Sequence, residues 1–175
     1  MNLIAGAPFW LFALLILILA AAAIEDALRL RISNPTCLAV VACAIVPVAM
    51  QGFSPALWQN AAVFVLILGL GTAAFAAGVL GGGDIKLLAG LSLWVDFRGA
   101  VALISAVFLV GGVLAMLYLA SRAVIRANSV KSRRIPYGIA IAMGAVLAFG
   151  LQRGDLAGQK RLHALSTLKI LPLDR

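Results

Sequence analysis

Charge is scarce in this 175-residue chain: Asp, Glu, Lys and Arg make up 11% of it, against 64% apolar residues. Soluble domains carry about 25% charged residues, and one small core cannot hide so much apolar surface. An ordinary water-soluble domain is therefore excluded, and lipid must be the solvent. Histidine occurs once, at His163, and cysteine twice, at Cys37 and Cys43, with no CxxC pair. A zinc site needs about four N, S or O ligands, so no metal site is expected. The two cysteines share one apolar run and read as small packing residues. Aromatics are few, nothing resembles a haem or nucleotide motif, and no cofactor is expected. Acids are scarce too: Glu25, Asp26, Asp84, Asp96, Asp155 and Asp174 are the six.

What is abundant is apolar sequence in runs. A hydrocarbon core of ~30 Å takes about 20 helical residues to cross. On that rule the expectation is an all-α, polytopic membrane protein with about six transmembrane helices, near 5–24, 36–51, 59–80, 85–96, 99–121 and 136–151. Residues 1–151 form the membrane domain, and 152–175 a basic C-terminal tail. The first run ends in Ala21-Ala22-Ala23, as a signal peptide might. It lacks a basic start, however, and its nearest cations, Arg29 and Arg31, follow it, so it reads as a retained helix. Ser33-Asn34-Pro35 is a helix start, with a capping side chain and a proline in the first turn. Gly81-Gly82-Gly83 is expected to stop the third helix and free the backbone for a sharp turn.

The net charge of +8 sits in short clusters between apolar runs, which fits cytoplasmic loops rather than nucleic-acid binding. Six crossings with the N-terminus outside put Arg29, Arg31, Lys86, Arg122, Arg126, Lys131, Arg133 and Arg134 in the cytoplasm. The tail, with Arg153, Lys160, Arg161, Lys169 and Arg175, would lie opposite, and its apolar spacing suggests an interfacial helix.

Asp26 ends the first helix and Asp84 opens the fourth, so both are expected at one membrane face. Ionisable groups there raise a functional expectation. Two carboxylates in contact cannot both ionise easily, and such a pair shares a proton. The charged member then activates water while the neutral one donates to a carbonyl oxygen. From position alone Asp84 reads equally as a helix N-cap, and Glu25-Asp26 as a solvated helix end. Arg29 and Arg31 read first as cytoplasmic anchors; the alternative for Arg29, three residues after Asp26, is a pair that would favour the charged form of Asp26. Lys86 does not face Asp84 and reads as a headgroup or substrate contact.

Gly81-Gly82-Gly83-Asp84-Ile85-Lys86 matches the GxGDxK motif of type IV prepilin peptidases. Asp26 to Asn34 resembles that family's first-aspartate block, and Arg134-Ile135-Pro136-Tyr137-Gly138 its Pro-Tyr-Gly block. The resemblance covers most of the chain before residue 152. It implies Asp26 and Asp84 as the catalytic pair, with Gly81, Gly83, Lys86, Asn34, Pro136, Tyr137 and Gly138 in support. It also implies a membrane-embedded aspartic endopeptidase of the bacterial inner membrane, with its active site toward the cytoplasm. Its partners would be the bilayer and a prepilin's leader and apolar N-terminal helix. Ser33 stands where the family usually has proline. The first two helices are joined without the cysteine-bearing insertion of longer members, so the chain resembles the short branch serving Flp-type pili, without methyltransferase activity. The competing expectations are a preflagellin-type peptidase, a small ion-coupled transporter or channel with the acids as relay, and a noncatalytic assembly subunit.

Overall fold

The computed structural model describes residues 1–124 and 137–170, with side chains to residue 121 and from 137 to 155. Every element in them is an α-helix. A short α1 (Leu3–Gly6) precedes α2 (Phe9–Arg29), α3 (Asn34–Gln51), α4 (Leu57–Ala76), α5 (Gly82–Ser92), α6 (Phe97–Val124) and α7 (Tyr137–Ile170). Of these, α2, α3, α4, α6 and α7 are long and apolar enough to cross a membrane. The chain is a multi-pass, all-α membrane protein.

Helix α2 illustrates how lipid is used as solvent. Leu11, Leu15, Leu19 and Ala22 recur at helical spacing and are buried, as is Asp26 one turn on. Phe9, Leu17 and Leu28 stay 66–78% exposed. In water that face would drive aggregation; against acyl chains it is matched. Pro8 precedes the first turn, where its missing N–H costs nothing. The helix ends at Leu30, which adopts a left-handed conformation (φ 52°) and donates its N–H to the Asp26 carbonyl at 2.8 Å.

Helix α5 is the short member of the six expected segments. The fourth apolar run, expected over 85–96, is itself short; the helix is as short as that run suggests but starts earlier, occupying Gly82–Ser92, only 11 residues. At the helical rise that is ~17 Å, about half a hydrocarbon core. It runs through the centre, packed against α3, α4 and α7, and Leu87, Ala89, Gly90 and Leu91 are all buried. Helix α1 fills the depth that α5 leaves. The N–H groups of Leu3 and Ile4 donate to the Trp94 carbonyl at 2.9 and 3.1 Å. The Asn60 amide donates to the Leu93 carbonyl at 2.8 Å. Arg153 in turn donates to the carbonyls of Ile4 and Ala7, at 2.9 and 2.7 Å, and lies over the Phe12 ring. Backbone groups at membrane depth must find protein partners, and these do.

Two boundaries differ from expectation. Helix α4 stops at Ala76 rather than near residue 80, and the left-handed turn after it falls at Gly78 (φ 72°). Gly82 and Gly83 are helical, so the glycine triplet does not make the turn. Helix α7 continues past residue 151 to Ile170, and Gln152 and Arg153 are tied to the N-terminal segment. Arg126, Lys131, Arg133, Arg134 and Pro136, singled out in the sequence, lie outside the described residues.

Candidate active site

The chain alternates direction, so the C-terminal ends of α2, α4 and α6 meet the N-terminal ends of α3, α5 and α7 at one pole. A cavity of about 970 Å³ opens there. Asp26 and Asp84 both line it, with Arg31, Lys86, Tyr118 and Tyr137 among the surrounding polar side chains. Two acids 58 positions apart in sequence are thus brought to one space.

Asp26 is 5% exposed. Its Oδ2 accepts from the Gly138 backbone N–H at 2.6 Å, at the start of α7, where unpaired amides suit an anion. The two helices approach so closely that a Cβ on Gly138 would lie 2.8 Å from the Asp26 Cβ and Oδ2. The alternative of an Arg29–Asp26 pair is not met: Asp26 turns inward, while Arg29 is exposed and acts electrostatically on Glu25.

Asp84 sits in the first turn of α5 but does not cap it; the N-cap is Gly81, which makes no side-chain cap bond. Burial pushes the Asp84 carboxyl up to about 6; the negative Asp26 nearby adds to the rise, and a hydrogen bond from the Gly81 backbone opposes it. Gly81 and Gly83 act by lacking side chains. A Cβ on Gly81 would meet the Asp84 Oδ2 at 2.6 Å, and one on Gly83 would crowd the Ile32 backbone at 3.1–3.2 Å.

Among the supporting residues, Gly81, Gly83, Lys86 and Tyr137 line the cavity. Asn34 is bound to it through Lys86, whose Nζ donates to the Asn34 Oδ1 at 2.9 Å. That bond takes one of the three donors of Lys86. Glu25, next to Asp26, does different work: it accepts from the Ser33 N–H (3.0 Å), the Ser33 hydroxyl (3.2 Å) and the Thr36 hydroxyl (3.0 Å).

Sequence reading missed Leu30, Gly78 and Tyr118, all of which line the cavity. Tyr118 carried a usable signal. The chain has two tyrosines, and both stand at an end of an apolar run, where a ring with a polar tip is favoured. The left-handed Leu30 carried none, since leucine rarely adopts that conformation.

The sequence profile of the type IV leader peptidase family matches residues 13–120, a stretch that takes in both acids and stops short of Tyr137. No curated protein and no solved structure matches significantly.

Proposed function

The chain belongs to the type IV leader peptidase family, and we propose that it is an aspartic endopeptidase that removes the leader of Flp-type prepilins at the cytoplasmic face of the inner membrane. The observation that carries this reading is the convergence of Asp26 and Asp84, from helices distant in sequence, on one cavity. The pole bearing them also carries Arg29, Arg31 and Lys86, the sign of charge that cytoplasmic faces collect. Only residues 30–33 join α2 to α3, which leaves no room for a cysteine-bearing insertion and favours the short branch.

The chemistry follows from the two environments. Asp26 acts as base, taking a proton from a bound water as the oxygen adds to the scissile carbonyl carbon. Asp84, protonated up to about pH 6, gives its proton to the carbonyl oxygen. Collapse of the tetrahedral intermediate breaks the C–N bond. The leaving amine takes the proton held by Asp26, and Asp84 recovers its own from the hydroxyl.

Co-expression with a candidate prepilin, followed by mass measurement of the pilin N-terminus, tests this. Asp26→Asn and Asp84→Asn should each insert normally and leave the leader attached, a loss of more than about a thousandfold. Complete processing by both variants would remove the dyad from the reaction.

A further inference from the structure

Neither acid-bearing helix touches the other through the acids alone; the first turn of α3 stands between them and is bonded to both. Ser33 caps α3, accepting at its Oγ from the Thr36 N–H. The Ser33 and Thr36 hydroxyls lie 2.8 Å apart, and both donate to the Glu25 carboxylate. Consecutive residues of a helix point about 100° apart, so Glu25 reaches α3 while Asp26 faces the cavity. On the other side of the turn, Asn34 accepts from Lys86, and the Cys37 thiol donates to the Gly83 carbonyl at 3.7 Å. Gly83 lies so close to Ile32 that a Cβ there would sit 3.1–3.2 Å from it and require the Ile32 backbone to give way. Every tie toward α5 lands within two residues of Asp84, and the tie toward α2 lands on the neighbour of Asp26.

Building on the peptidase reading, we propose that this turn is the spacer that sets the separation of the two acids, with Glu25 and Thr36 as positioning residues that never touch substrate. Three hydrogen bonds to one carboxylate hold residues 30–33 to a single path, including Leu30 in its unfavourable left-handed state. A dyad that shares a proton tolerates little error in distance: displacing reacting groups by about 1 Å can cost ~100-fold in rate. Glu25 anchors the side of Asp26 from outside the cavity, and Lys86 anchors the side of Asp84 from its wall.

The test is steady-state cleavage of a full-length prepilin by the purified protein in detergent, with kcat and KM separated. Glu25→Gln and Thr36→Val keep the shape of each side chain and remove part of the network. Each should lower kcat by about five- to thirtyfold and leave KM within about twofold, because positioning of the acids, not substrate binding, is disturbed. Thr36→Ser, which keeps the hydroxyl, should recover to within about twofold of the parent, and the Glu25→Gln/Thr36→Val pair should be little worse than either alone. Unchanged kcat in both single variants, a rise confined to KM, or a Thr36→Ser variant as slow as Thr36→Val would each overturn the spacer. Asp84→Asn, assayed alongside, separates the two readings. If it is inactive while Glu25→Gln and Thr36→Val match the parent, the spacer fails and the peptidase stands; absence of cleavage by the parent sinks both.

Discussion

Asp26 and Asp84 carry the same functional group in unlike settings. One is held by a backbone donor at the start of a neighbouring helix; the other is half-buried beside it, its carboxyl raised to about 6 by burial and by its partner's charge. If Asp84 must hold a proton to donate one, kcat/KM should fall as pH rises through about 6, the value reached in the folded protein. The same shift has a stability consequence. Between the ordinary value of 3.8 and about 6 the folded protein binds this proton more tightly than the unfolded chain does. Thermal stability in detergent should therefore decline as pH rises across that window, and Asp84→Asn should flatten the decline. A kcat/KM that climbs through pH 6 would contradict the role given to Asp84.

Among the helices, contact distance matters more than helix propensity. Gly138 lets α7 approach Asp26 so closely that a Cβ would force a shift, and Gly83 lets α5 lie tight against Ile32. Gly138→Ala should push α7 away from Asp26 and lower leader removal by more than about tenfold, measured by prepilin processing with insertion unchanged; parent-level processing would show that α7 has room to yield. This level is also where sequence reading ran short. The long apolar runs of α2, α3, α4, α6 and α7 announced themselves, because lipid demands length. The ends of α5 did not. Gly82 and Gly83 are poor helix formers in isolation, yet packing against Ile32 carries the helix back over them. The expected stop at residue 151 failed for the opposite reason. Gln152 and Arg153 look like the start of a polar tail, but their side chains bond the N-terminal segment and the helix continues. The acids and their motif were readable because each is local in sequence. The Lys86–Asn34 bond and the Glu25 network were not, because they join residues whose neighbourhood only the fold creates.

Across the described residues, the buried layer is apolar apart from Asp26, Asn60 and Ser92. Trp94, Phe149, Leu87, Leu91 and Ile4 are buried at 0% exposure, and none of them lines the cavity. α1 and Arg153 fasten the layer from beyond. A relay of ions would need polar steps through that layer, and on the peptidase reading no conduction is expected. Vesicles loaded with a pH-sensitive dye and reconstituted with the protein should acidify no faster than empty ones under an imposed gradient; a leak abolished by Asp84→Asn would reverse that conclusion. A cell that stores its energy as a voltage must not be short-circuited by the enzymes it embeds. On the peptidase reading, the half-length α5, followed two residues on by the buried Trp94, would make the reaction chamber a blind well: water would enter, cut and leave by one mouth, and the battery would stay charged.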